Sequence, residues 1–162
     1  MNEKFVTADQ ARAIAATMRE RGRRLVFTNG CFDLLHVGHV RYLEAARALG
    51  DALLVAINGD ESVGRLKGDG RPLNRESDRA EVVAALACVD HVVIFPELRA
   101  TALLERVCPA IYAKGGDYTA DSLNADERSA LERIGTEIRI LPFVAGHSTS
   151  SLLAKMKTLG CE

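Results

Sequence analysis

Apolar and polar positions alternate along the chain between two textures. Leu25-Val26-Phe27, Leu53-Leu54-Val55-Ala56-Ile57, Val92-Val93-Ile94-Phe95, Ala110-Ile111-Tyr112-Ala113 and Ile138 to Leu141 are short runs, apolar nearly throughout. Runs of that kind predict strands buried on both faces. Between them the spacing becomes helical. Thr7 and Gln10 stand at the spacing of a capping box, Ala11, Ile14, Ala15 and Met18 share one face, and Gly22 ends the segment. A second helix is expected over 38–50, with Tyr42, Ala45, Ala46 and Leu49 on its buried face and Gly50 closing it. Others are expected around 78–87, 100–107 and 150–159, and one opens at Asn124 and Glu127 and stops at Gly135.

Five strands alternating with helices predict an α/β chain: a Rossmann-like, doubly wound, five-stranded parallel sheet with helices on both faces. Residues 1–162 read as a single domain, without repeats, low-complexity tracts or linkers. In such sheets ligands sit where strand ends, loops and helix N-termini converge.

Charge narrows the ligand. With 21 basic and 22 acidic residues, the net charge of −1 gives no basic excess for nucleic acid, so any bound anion is expected to be small. Cys31, Cys88, Cys108 and Cys161 form no C-x-x-C pair and read as free thiols of a reducing compartment. MNEKFVTADQ lacks the apolar core of a signal peptide, and no apolar run approaches the ~18 residues of a membrane span. A cytoplasmic protein without membrane contact is expected.

Four loops should open on one sheet edge. Thr28, Asn29, Gly30, Cys31, Phe32 and Asp33 follow the first strand and lead into a helix start, where unpaired N–H groups and the helix dipole favour a phosphate. His36 and His39 are spaced to share one side of that start, with Gly38 between them. They could be capping or surface residues, or metal ligands with Asp33 as a third, yet neither reading explains the glycine. The second loop, 64–79, sets Arg65, Lys67, Arg71, Arg75 and Arg79 against Asp69, Glu76 and Asp78, which suggests a mobile basic flap or a solvated loop. Lys114, Gly115, Gly116, Asp117 and Tyr118 form the third. The fourth, Gly146 to Ser151, brings Ser148, Thr149 and Ser150 to the last helix, as N-caps or as a second anion site. Together these features specify a polyphosphate better than any one does.

Gly30-Cys31-Phe32-Asp33-Leu34-Leu35-His36-Val37-Gly38-His39 resembles the signature of the HxGH nucleotidyltransferases, in their cytidylyltransferase-like branch. RLKGDGRP at 65–72 and KGGDY at 114–118 sharpen the resemblance toward the D-glycero-β-D-manno-heptose 1-phosphate adenylyltransferases, and it runs over about 25–156. The likeness implies transfer of AMP from ATP to that sugar phosphate, giving ADP-heptose and pyrophosphate for lipopolysaccharide core synthesis. It implies His36, His39 and Lys67 as catalytic residues acting on the phosphates. Thr28, Asn29, Gly30, Cys31, Phe32, Gly38, His39, Lys114, Gly115, Ser148, Thr149 and Ser150 would bind the nucleotide, and Asp33, Arg71, Asn74 and Asp117 the acceptor. Mg2+ would be held mainly by the substrate phosphates, with no protein ligand. A homodimer and a separate sugar kinase upstream are also implied. The related cytidylyltransferases end in an R-T-E-G-I-S-T-T loop; Phe143, Ala145 and His147 here replace its arginine, glutamate and isoleucine, while Ser148 and Thr149 match. Two rivals remain at the level of sequence: a cytidylyltransferase for glycerol 3-phosphate or another small phosphorylated alcohol, and a nucleotide-sensing module without turnover.

Overall fold

The structure is a computed structural model, and it describes residues 3–116, 123–142 and 146–159. Asp117, Tyr118, Phe143, Ala145 and Cys161, named above, lie outside the described residues. The elements are α1 (Ala8–Glu20), β1 (Leu25–Gly30), α2 (Val37–Arg47), β2 (Ala52–Asn58), α3 (Asp60–Lys67), α4 (Glu76–Ala84), β3 (His91–Phe95), α5 (Thr101–Val107), β4 (Ile111–Gly115), α6 (Ala125–Ile134), β5 (Glu137–Leu141) and α7 (Thr149–Leu159). The five strands form one sheet in the order β3-β2-β1-β4-β5, and every pairing is parallel.

The central strands are apolar because helices cover both faces, and successive residues feed alternate layers, whereas β5 at the sheet edge, expected to be buried on both faces, exposes Glu137 and Arg139. Leu54 and Ala56 of β2 meet α1, α5 and α6 through Ala11, Ala15, Met18, Leu103, Leu104 and Leu131. Leu53, Val55 and Ile57 meet α2 and α4 through Leu43, Ala46, Ala80, Val83 and Ala84. The α1 capping box forms as its spacing requires: Thr7 Oγ1 accepts from Gln10 N at 3.2 Å and Gln10 Oε1 from Thr7 N at 2.8 Å. The Asn124 side chain caps α6, and Gly135 ends it at φ 71°, where L residues are strained.

Three local expectations are corrected. The buried face of α2 carries Leu43 and Ala46, with Tyr42 and Leu49 packed against the same layer as expected, while Ala45 is exposed and Leu43 takes its place. The helix expected over 78–87 runs from Glu76 to Ala84, and the chain then turns so that Val89 enters the core at 1% exposure. Gly64 to Lys67, expected in a flap, are the last turn of α3. Its N-terminus has no local side-chain cap; Glu76 Oε2, from the start of α4, accepts from Asp60 N at 2.7 Å instead. Asp60 and Glu61 in the first turn and Arg65 and Lys67 in the last complement the helix dipole.

After β1 the chain winds toward β2 and β3, and after β4 toward β5, so the winding reverses between the two central strands. Their ladder pairs Val26 with Ile111 and Phe27 with Tyr112. Beyond that point the Tyr42 hydroxyl bridges the strands, accepting from Thr28 Oγ1 at 2.7 Å and donating to the Ala113 carbonyl at 3.0 Å. The strand ends thereby part at the switch point, where a crevice is expected.

Candidate nucleotide site

A cavity of about 360 Å3 occupies that edge. Asn29, Gly30, Cys31 and Phe32 line it from the end of β1, His36, Gly38, His39 and Tyr42 from the start of α2, and Lys67 from the end of α3. Lys114, Gly115 and Gly116 close it from β4, and Pro142, His147, Ser148, Thr149 and Ser150 from the approach to α7. Two helix N-termini therefore reach one space, as the sequence suggested.

The histidines are locked by backbone. His36 is the N-cap of α2, and its Nδ1 accepts from Gly38 N at 3.1 Å; His39 Nδ1 accepts from His36 N at 3.4 Å. With both Nδ1 atoms accepting, each neutral ring carries its proton on Nε2, which leaves Nε2–H as a donor. The rings stack with centroids 3.9 Å apart, and Phe32 packs against His39 at 5.3 Å. Burial, followed by the neighbouring His36, pushes His39 down to about 4. Burial, followed by His147, also lowers His36 from its ordinary value. Both are uncharged donors at neutral pH, so the positive charge at the cavity comes from Lys67, Lys114 and the helix starts.

Gly38 was expected to let a nucleotide approach, and the structure gives another reason for it. A Cβ there would stand 2.9 Å from His36 Nδ1 and 3.1 Å from the His147 Cβ. The glycine makes room for the capping imidazole itself. Gly115 is constrained similarly by Tyr42, whose ring a Cβ would meet at 2.8 Å.

Thr28 does not line the cavity; it is buried beneath, bonded to Tyr42. Asp33, Arg71 and Asn74 also lie off the lining, and they are bonded to one another. Asp33 is 5% exposed and accepts from Arg71 Nε at 2.7 Å, Leu73 N at 2.8 Å and Asn74 N at 2.9 Å. Burial alone would raise its carboxyl, but the backbone bonds from Asn74 and Leu73 and the Arg71 guanidinium outweigh that and lower it. The segment read as a mobile flap is thus fastened across the β1–α2 loop by one carboxylate. Arg79, also assigned to that flap, is 2% exposed in α4. It donates to the carbonyls of Cys31 at 2.6 Å, Asn58 at 2.8 Å and Asn74 at 3.0 Å, and pairs with Asp60 at 2.8 Å.

The predicted binding set lacked Tyr42, Gly116, Pro142 and His147, although Gly116 lay in the third loop, and the structural role of Arg79 was missed. Tyr42 was assigned to a buried helical face, and only its phenol in a run of Ala and Leu hinted at a polar partner. Burial pushes that phenol up to about 12. Cys31 borders the cavity as a neutral thiol, raised chiefly by burial.

Among the described residues no group of three or more His, Cys, Asp or Glu side chains could hold a metal ion, and no helix is long and apolar enough to cross a membrane. Among the described residues that line the cavity there is no carboxylate.

The cytidylyltransferase-like family model matches residues 27–156. The bifunctional protein HldE of Geotalea uraniireducens (strain Rf4) is 48% identical over 155 residues, covering 96% of this chain and 31% of that protein. HldE of Citrifermentans bemidjiense (strain ATCC BAA-1014 / DSM 16622 / JCM 12645 / Bem) is 49% identical over 155 residues, with the same coverage. The chain thus spans about a third of the length of these relatives. The crystal structure of the lipopolysaccharide core biosynthesis protein from Thermoplasma volcanium GSS1 superposes with a TM-score of 0.62 at 28% identity, covering 76% of this chain and 98% of that one. With its matched region running from β1 into α7 around the paired imidazoles, the chain belongs to the cytidylyltransferase-like family.

Proposed function

We propose that this chain is a nucleotidyltransferase that moves AMP from ATP to D-glycero-β-D-manno-heptose 1-phosphate, releasing pyrophosphate and forming ADP-heptose for lipopolysaccharide core synthesis. The similarity to HldE supports the heptose substrate, and the observation that carries the chemistry is the stacked His36–His39 pair at the start of α2. In the reaction, a phosphate oxygen of the sugar attacks the α-phosphorus of ATP, and the bond from that phosphorus to the oxygen bridging toward the β-phosphate breaks. The nucleophile is already an anion, so no proton has to be removed. What the protein supplies is alignment of two repelling anions and donors where charge grows. His36 and His39 offer neutral Nε2–H groups to the α-phosphate, and Lys67 balances the incoming phosphate and the departing pyrophosphate. Gly30, Gly38, Lys114, Gly115 and the hydroxyls of Ser148, Thr149 and Ser150 bind the rest of the nucleotide.

Among the described residues the lining offers hydroxyls and an amide but no carboxylate, the side chain through which a protein usually anchors magnesium. Magnesium therefore enters as MgATP, a substrate. The phosphosugar is supplied by a kinase activity outside these 162 residues, and the protein works in the cytoplasm as a homodimer.

The test is pyrophosphate release from ATP or CTP with a panel of sugar 1-phosphates and glycerol 3-phosphate. Release with ATP and the heptose 1-phosphate supports the proposal. Turnover confined to CTP and glycerol phosphate, or nucleotide binding without any release, overturns it.

A further inference from the structure

Below the cavity, on the α6 side of the sheet, lies a polar group that the proposed chemistry does not use. Tyr112 on β4 is completely buried, and Glu127 on α6 is 6% exposed. Buried polar side chains are costly unless their hydrogen bonds are made, and here they are made to one another. The Tyr112 hydroxyl lies 2.5 Å from Glu127 Oε1 and 2.9 Å from Asn29 Oδ1, and Lys114 Nζ donates to it at 3.4 Å. The Lys114 ammonium also stands 5.9 Å from the centroid of the Tyr112 ring.

Two members of this set, Asn29 and Lys114, line the cavity; the other two do not. The first turn of α6 explains the difference. Asn124 Oδ1 caps the helix by accepting from Asp126 N at 3.1 Å and Glu127 N at 3.4 Å. The Glu127 side chain is thereby released from the reciprocal half of a capping box and turned inward to the phenol. The phenol has one proton for two acceptors, and the shorter, charge-assisted contact to Glu127 Oε1 orients it, so the lone pairs of the phenol oxygen face the Asn29 amide and the Lys114 ammonium.

We propose that Glu127 and Tyr112 are positioning residues of the nucleotide site, acting through Asn29 and Lys114 to set how an amide and an ammonium meet the nucleotide. This rests on the nucleotide reading of the cavity. Neither residue touches substrate. Their effect belongs to affinity for the nucleotide, because what they order is a pair of polar groups in the cavity wall and not the reacting centre.

The experiment is titration calorimetry of MgATP with the full chain and with Tyr112→Phe and Glu127→Gln, together with kcat and KM for ATP and for the sugar phosphate. Tyr112→Phe keeps the ring beside Phe27 and deletes the oxygen. Losing the order of two polar contacts should weaken MgATP binding and raise its KM by roughly 5- to 30-fold. kcat and the KM for the sugar phosphate should stay within about threefold. Glu127→Gln, which retains an acceptor, should fall between wild type and Tyr112→Phe, a rescue that a purely packing role would not give. Should Tyr112→Phe fail to fold, the Glu127→Gln affinity decides alone. Variants that bind MgATP as wild type does would overturn this inference and leave the nucleotide site standing. Wild-type protein that binds no MgATP would overturn both.

Discussion

His39 is the residue whose chemistry most constrains the account. A histidine held down to about 4 by burial is an uncharged donor at neutral pH, suited to stabilising growing negative charge through an Nε2–H that it keeps. His39→Ala should fold and lose at least ~10²-fold in kcat, as removal of one preorganised donor typically does. Single-turnover pyrophosphate release measures this, and wild-type turnover would remove the residue from the mechanism. The same depressed value has a consequence for stability. Between about 4 and the ordinary 6.5, the unfolded chain binds a proton at position 39 that the folded chain refuses. This contribution is complete above 6.5 and is lost as pH falls toward 4. Urea denaturation at pH 7 and pH 5 should show wild type losing more stability on acidification than His39→Gln; equal losses would contradict the assignment. Lys67→Ala, by contrast, should lower kcat and weaken ATP binding together, and a change in KM alone would reduce the lysine to uniform binding.

At the scale of elements, the decisive part is the connection from α3 to α4. Asp33 holds it by accepting from Arg71 and from the Leu73 and Asn74 backbone, and Lys67 stands immediately before it. Asp33→Ala leaves a guanidinium and two N–H groups without their acceptor in a site where the carboxylate is 1% exposed. Breaking a buried pair of this kind costs about 3–5 kcal/mol. Denaturant titration checks that loss; a stable variant with a raised KM for the sugar phosphate alone would instead make Asp33 an acceptor contact. Gly38→Ala brings a methyl against the His36 ring, so it should cut kcat through loss of the α2 cap geometry while leaving the core intact. This is also where sequence reading had least purchase. A helix capped from sixteen residues away by Glu76 has no local start signal, and Val63 with Leu66 is too short an apolar pattern to reveal it. The one signal present, Asp60 and Glu61 leading and Arg65 and Lys67 trailing, went unused because the two basic residues read as part of a loop. Arg79 was misplaced for a related reason: a charged residue in a basic run looks solvated until three carbonyls and a carboxylate are seen to surround it.

At the scale of the whole molecule, apolar runs and capping spacings were enough for the sheet and most of its helices, because burial on both faces leaves its mark on the central strands, and edge strand β5 still carries Ile138, Ile140 and Leu141. The order β3-β2-β1-β4-β5 places the loops after β1, β4 and β5 around one crevice, and the motif histidines fall there. What the sequence concealed were the contacts across layers that give the crevice its shape: Tyr42 between the parting strand ends, and the Glu127–Tyr112 pair beneath Asn29. Such contacts join residues far apart in the chain and follow no local period. The most direct measurement of the central claim is a crystal structure with the magnesium complex of a non-hydrolysable ATP analogue. The account predicts the α-phosphate within hydrogen-bond reach of His36 and His39 Nε2, between the starts of α2 and α7; a triphosphate bound away from the paired imidazoles would contradict it.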